Sequence, residues 1–273
     1  MRPTYLAWTE WEIDPFAKPP GLSCVLMGMG TKIGVVLCAA LAAACGGRVQ
    51  GDTGVAPPSP STQECDHNPY GACYPASDVG TSPRTGPEGV SGDRIPNFRF
   101  VGFRATSTSG VVDTSETHVL ALSDFYDPEG LLGYTVIHIA ANTVWCGPSN
   151  QQADYIAGSS YAPSPGFAEE LAPLGVVFLE VLTDGPVVGQ PATLEDLRKW
   201  VSNHHVDYSV ALNGDSNDTN GILGSFFGAA AIPFNMDIDA RSMEILSSEL
   251  GFNTALDTAI KSWIEWEGTH PPK

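Results

Sequence analysis

Thr143-Val144-Trp145-Cys146-Gly147-Pro148-Ser149 is the stretch on which the reading of this chain turns. An apolar run, Tyr134-Thr135-Val136-Ile137-His138-Ile139-Ala140-Ala141, leads into it. Asn150-Gln151-Gln152-Ala153-Asp154-Tyr155-Ile156-Ala157 leads out. The first is strand-like and the second helix-like, which sets Cys146 at the carboxyl end of a strand and the mouth of a helix. Unpaired backbone N–H groups and the positive end of the helix dipole favour an anion there. A thiol so placed is expected to ionise more readily, and the thiolate is the reactive form. The plainer reading is a buried cysteine packing as a small apolar residue.

The chain has 273 residues, 42% of them hydrophobic, enough for one sizeable domain with extensions. A net charge of −18 argues against a nucleic-acid partner. Twenty-nine glycines and 22 prolines, unevenly spread, announce long loops. The six cysteines are Cys24, Cys38, Cys45, Cys65, Cys73 and Cys146.

Trp145-Cys146-Gly147-Pro148 resembles the active-site sequence of the thioredoxin superfamily, Trp-Cys-Gly-Pro-Cys, with Ser149 in place of the second cysteine. Further residues are similar to the redoxin, TlpA/ResA-like branch: Gly92, Pro96 and Phe98, then Leu122-Ser123-Asp124-Phe125 before the core strand. The resemblance covers roughly residues 92–265. It implies a three-layer α/β/α sandwich with a central mixed sheet and an N-terminal β-hairpin extension. It also implies a cis-proline opposite the reactive cysteine, and Ile232-Pro233 stands in that slot, with Ile238-Asp239 closing the strand that follows. In the family the backbone before that proline pairs with a bound peptide. An ordinary trans proline at a strand start is the plainer alternative.

Upstream, residues 1–28 fit no export signal: Trp8, Glu10, Trp11, Glu12 and Asp14 stand where a short basic region belongs. A start at Met27 or Met29 gives a conventional signal over residues 29–45, and 1–28 then reads as a non-native extension. The apolar run is too short to span a bilayer. Its end, Leu41-Ala42-Ala43-Ala44-Cys45, resembles a bacterial lipobox, which implies lipidation at Cys45. An ordinary Ala-x-Ala cleavage is the alternative. Either way the product is expected to be exported, to the periplasm or cell envelope, touching membrane only through a lipid anchor. Residues 46–91 are rich in Gly, Pro, Ser and Thr and read as a flexible linker. Within it Cys65 and Cys73 bracket a short loop, expected to be disulfide-bonded in an exported protein. A zinc site built from Cys65, His67 and Cys73 lacks a fourth ligand.

The folded domain is placed at 92–268. Leu174 to Leu182 reads as a buried parallel strand. Thr193, with Asp196 in the box position, caps a helix whose Leu194, Leu197, Trp200 and Val201 share a face. Val206–Leu212 reads as a strand, Ile222–Phe227 as a helix, Met243–Leu246 as the last strand and Thr254–Trp266 as the closing helix. The alternation argues for helices on both faces of the sheet. The acidic loop Asn213–Gly221 lacks the spacing of a calcium site. His204-His205 is explained by compensation of a helix dipole more simply than by a metal.

For chemistry, the candidates are Cys146 as nucleophile with Trp145, Gly147, Pro148 and Ser149 around it, and Ile232, Pro233 and Thr143 facing substrate. Ser149 cannot resolve a mixed disulfide, but its hydroxyl could donate to the Cys146 thiolate. Ala140 stands where family members carry a buried acid or amide. The resemblance therefore implies monothiol thiol–disulfide exchange on protein thiols, disulfides or a small thiol, with no metal and no cofactor. Whether Cys146 is catalytic stays open. A thioredoxin-fold binding lipoprotein without catalysis is one alternative. A peroxidase, suggested by Thr143-x-x-Cys146, is the other, although Ile139 replaces the proline that peroxiredoxins place before that threonine.

Overall fold

The computed structural model describes residues 68–78, 80–106, 110–159, 162, 164–214, 222–226 and 231–270. All belong to the unit spanning 42–273. The apolar runs become strands because alternating or continuous β-branched residues fit a pleated surface buried on one or both sides. These are β1 Arg99–Phe103, β2 His118–Ala121, β3 Val136–Thr143, β4 Val176–Asp184, β5 Ser209–Leu212, β6 Phe234–Asp239 and β7 Ile245–Leu250. Four helices accompany them: α1 Gly147–Ala157, α2 Phe167–Leu171, α3 Leu194–His204 and α4 Leu256–Thr269.

The strands form one sheet in the order β2-β1-β5-β4-β3-β6-β7. β3 pairs in parallel with β4, and β4 with β5; the remaining pairs are antiparallel. The result is a thioredoxin-like α/β arrangement, a central mixed sheet with an N-terminal β1–β2 hairpin. β3, which delivers Cys146, lies inside the sheet and is buried along its whole length.

The described helices gather on one core cluster. Among the described residues, α1, α2, α3 and α4 all contribute to a single core cluster, built on Val136, Ala140, Val176, Phe178, Leu182 and Val210 of the sheet. The steps β3 to β4 and β4 to β5 run the same way along the sheet, so right-handed crossovers set α1 and α3 on one face. The opposite face packs Ile137, Ile139, Leu179, Val181, Met236 and Ile238 against Tyr74, Ile95, Leu122, Phe125 and Leu223. Among the described residues its cover is extended chain and two 3-10 turns, Leu122–Phe125 and Gly224–Phe226. The second turn stands where a helix over Ile222–Phe227 was expected.

Residues 68–91 differ from a free tether. Asn68 donates to the carbonyls of Ser123 and Tyr126 at 3.0 and 2.7 Å. The Tyr74 hydroxyl donates to the Ile95 carbonyl at 3.0 Å. Arg84 pairs with Glu244 at 2.8 Å. The chain from Asn68 onward is thus a strap bound to the domain. The proposed extension 1–28, signal 29–45, Cys45 and Cys65 lie outside the described residues.

Candidate active site

Cys146 is the N-cap of α1, in extended backbone (φ −90°, ψ 117°). Gly147 and Pro148 open the helix, where a missing N–H is harmless because the first-turn donors have no intrahelical acceptor. The turn is pinned from inside. Cys146 N–H donates to the Thr143 carbonyl at 3.3 Å, and Asn150 N–H to the Cys146 carbonyl at 3.1 Å. The Asn150 side-chain amide donates to the carbonyls of Cys146 and Val144 at 2.7 and 3.1 Å. No side-chain oxygen caps the helix.

The structure brings Cys146 and the Ile232-Pro233 peptide together. That peptide is cis, and the Cys146 thiol donates to the Ile232 carbonyl at 3.7 Å. The thiol is free, and it is fully buried, with 0% of the residue exposed. Burial of this kind is what the plainer reading, a cysteine packed as a small apolar residue, implies. Gly147 beside it is exposed, and Pro148 and Ile232 are half-buried.

The expected Ser149–Cys146 hydrogen bond is not formed. Ser149 is buried, and its hydroxyl accepts from the Thr143 backbone N–H at 3.4 Å. Ser149 therefore ties the strand end to the helix. The Thr143 hydroxyl is buried and meets no hydrogen-bond partner among the described residues. The Trp145 indole donates to Asp184 Oδ2 at 3.0 Å, and the Gly189 N–H donates to the same oxygen at 2.8 Å.

The sequence reading missed Glu180. Ala140 leaves the expected position of the buried acid empty, but its in-register neighbour on β4 is Glu180. This carboxyl is fully buried and receives Trp200 Nε1 at 2.9 Å, the Tyr208 hydroxyl at 3.0 Å and the Asn142 amide. Burial pushes its pKa up, and the three donors only partly offset that. Asn142 immediately precedes Thr143 on β3, so the acid is linked to the strand that carries the cysteine. The signal was a single glutamate inside an otherwise apolar strand.

Further polar pairs share this helix-facing side. His138 Nδ1 meets Asp237 Oδ1 at 2.7 Å, and Ser247 donates to Asp237 Oδ2 at 2.6 Å. Gln152 on α1 and Asn235 on β6 exchange side-chain hydrogen bonds at 2.8 and 3.1 Å. His204, in the last turn of α3, belongs to this interior too: its ring lies tilted against Trp200 and it binds Asp154 of α1 at 2.8 Å, a contact between helices beyond the expected dipole compensation. His205 takes the left-handed C-cap of α3. No cluster of metal-ligating side chains occurs among the described residues. Cys73 is disulfide-bonded to a cysteine outside the described residues, and most of the acidic loop, 215–221, also lies outside them.

No protein-family model matches the chain, and no curated protein sequence matches it. Solved structures of similar shape include the thioredoxin domain of a thiol-disulfide oxidoreductase from Bacteroides vulgatus. It is 14% identical, over 63% of this chain and 96% of that one, with a TM-score of 0.44. A secreted thiol-disulfide isomerase from Corynebacterium glutamicum is 18% identical, over 64% and 87%, at 0.42. AhpC from Enterococcus faecalis is 13% identical, over 67% and 96%, at 0.43. Each is a likeness of shape. The chemistry is argued from this chain's own residues.

Proposed function

We propose that this is an exported thiol–disulfide exchange protein in which Cys146 acts as a single reactive thiol. The observation that carries the reading is the placing of Cys146, at the mouth of α1, against the carbonyl of the cis Ile232-Pro233 peptide at 3.7 Å. The cover over Cys146 must first open, so that the thiol meets solvent and gives up its proton to it. The thiolate then attacks one sulfur of a client disulfide, the client S–S bond breaks, and the departing sulfur leaves as a thiolate that takes up a proton. One disulfide is exchanged for another, with no net oxidation. Ser149 supplies no thiol to reverse this, so a second client thiol or a small thiol must attack the mixed disulfide. Attack by the client's own thiol isomerises the client. Two equivalents of a small thiol reduce it and leave as their own disulfide.

Export through residues 29–45, lipidation at Cys45 and a Cys65–Cys73 bridge belong to the same proposal. They suit a compartment where structural disulfides persist. The full burial of the Cys146 sulfur favours a second reading, a binding module that keeps the surface around Pro233 and has lost catalysis. The test is incubation of the full-length chain with 2-hydroxyethyl disulfide, followed by intact-mass measurement. The exchange reading expects one adduct on Cys146, absent in Cys146→Ala and released by a monothiol. An unmodified Cys146 under conditions that modify a free cysteine peptide would overturn it in favour of the binding module.

A further inference from the structure

The cis Ile232-Pro233 turn is joined to α1 by a closed ring of hydrogen bonds anchored on an amide pair. Gln152 Nε2 on α1 donates to Asn235 Oδ1 on β6 at 2.8 Å, and Asn235 Nδ2 donates back to Gln152 Oε1 at 3.1 Å. Asn235 Nδ2 also donates to the Gly251 carbonyl at 3.1 Å. Gly251 N–H in turn donates to the Pro233 carbonyl at 2.7 Å, one step beyond the Phe234–Leu250 pair of the β6–β7 ladder. Gly251 has the left-handed backbone, φ +87°, that favours glycine there. The ring closes at the site. Pro233 follows Ile232, whose carbonyl accepts from the Cys146 thiol at 3.7 Å, and Cys146 begins the helix that carries Gln152. Gln152 and Asn235 are 0% and 3% exposed, so no water competes for these bonds.

Stability alone does not call for this pair. Two apolar side chains of similar shape would fill the space with little difference in free energy, whereas hydrogen bonds fix distance and direction. One amide lies on the strand that Pro233 enters and the other on the helix that Cys146 starts. What the pair fixes is therefore the place of the turn relative to the sulfur. We propose that Gln152 and Asn235 are positioning residues for Cys146, holding the Ile232 carbonyl against the thiol and so setting how often the sulfur is open to a reagent. Because the sulfur is fully buried, a reagent meets it only in a locally opened form, and that opening requires the clamp to give way. This deepens the exchange reading, on which the role toward a client disulfide rests; access to the sulfur does not depend on it.

The test is the rate at which iodoacetamide labels Cys146 in the full-length chain, read by mass on the Cys146 peptide and scaled to a free cysteine peptide. Gln152→Met keeps the length of the side chain and removes its amide. Labelling in this variant is expected to run about tenfold faster than in wild type. It should also be nearly independent of urea below the unfolding transition, because a local opening exposes little surface. Gln152→Met/Asn235→Leu strands neither amide, so its urea midpoint should recover relative to Gln152→Met while the fast labelling persists. A purely structural role expects the opposite: labelling that returns to the wild-type rate with the midpoint, or that climbs with urea along the slope of global unfolding. Either result, or an unchanged rate in Gln152→Met, overturns the clamp. Where one variant does not fold, the rate and urea dependence of the other decide. Fast, urea-independent labelling with no adduct from 2-hydroxyethyl disulfide supports the clamp and sinks only the exchange reading.

Discussion

The two faces of the sheet are equally buried and are held by different forces. Along β3 the side chains alternate between them: His138, Ala140 and Asn142 look toward the helices, whereas Ile137, Ile139 and Ala141 look away. The far face is apolar through β4 and β6 as well, with Leu179, Val181, Met236 and Ile238. The helix side carries His138, Asp237, Asn142, Glu180, Asn235 and Gln152, all buried and hydrogen-bonded. On the apolar face stability follows the area removed from water. On the polar face a satisfied pair contributes little net, and a partner left alone costs several times as much. Gln152 and Asn235 bind α1, the helix that Cys146 introduces, directly to β6, whereas Glu180 is held by Trp200 of α3 and by Tyr208.

The largest expected effects come from breaking this contrast in neighbouring residues. Asp237→Ala strands His138, whose Nε2 already meets no partner among the described residues, and should destabilise by about 3–5 kcal/mol. Ile238→Ala, one residue on and facing the other way, leaves a cavity and should cost about 2–5 kcal/mol. Double substitutions separate the two faces. His138→Leu with Asp237→Leu should recover most of the loss, while adding Ile137→Ala, the cross-strand partner of Ile238, should deepen it. Urea unfolding midpoints measure all four. A double polar-face variant no more stable than Asp237→Ala would mean that the pair contributes more than mutual satisfaction.

A second difference is that the helix side holds two carboxyls raised by burial. Glu267 on α4 is held up to about pKa 9, first by burial and then by the neighbouring Asp239 carboxyl. Glu180 is raised by burial as well. A carboxyl whose folded pKa lies above its unfolded value binds more protons when folded. Its favourable contribution is full below the unfolded value of 4.5 and is lost as pH rises through about 9. Stability should therefore fall between pH 5 and 9. Glu267→Gln should flatten that fall and raise stability at pH 8 by about 1–3 kcal/mol, with Glu180→Gln acting in the same direction. Melting temperature followed against pH, with Ile238→Ala as the apolar-face control, reads this directly. A wild-type curve parallel to that of Glu267→Gln would refute the buried charge.

How much of this was legible in sequence follows the same division. The strand–cysteine–helix junction, the Thr193–Asp196 capping box and the apolar β4 run are local patterns, and each stands where its residues placed it. Ile232-Pro233 came from the family resemblance, and its cis peptide does face Cys146. What local pattern could not supply is pairing across strands. Glu180 takes up the region vacated at Ala140 only because β3 and β4 align in that register. His204 reads as a helix-end charge until Asp154 of another helix is brought beside it. At 68–91 the composition suits a tether apart from a clip at Tyr70, Tyr74 and Pro75, and the anchors Asn68, Tyr74 and Arg84 hold the segment to the domain.

That strap offers the smallest and most local test, because it runs from the apolar face around the β7 edge to α4. Tyr74 and Ile95 belong to the apolar cluster. Arg84 N–H and the Asp93 carbonyl both pair with Ile245, and the Arg84 guanidinium grips Glu244 with two nitrogens, at 2.8 and 3.2 Å, while stacking 4.3 Å over Trp266. The pair is mostly shielded from solvent, so it should exceed an ordinary surface bridge, and Arg84→Ala should lower stability by about 1–2 kcal/mol. Arg84→Lys keeps the charge but loses the fork and the planar stack, and should give more than half of that loss. Because the strap covers only part of one face, the damage should appear first as faster limited proteolysis within 68–91, with β3 to β6 still protected. Cleavage spread evenly over the domain would mean instead that the strap and the sheet unfold as one unit.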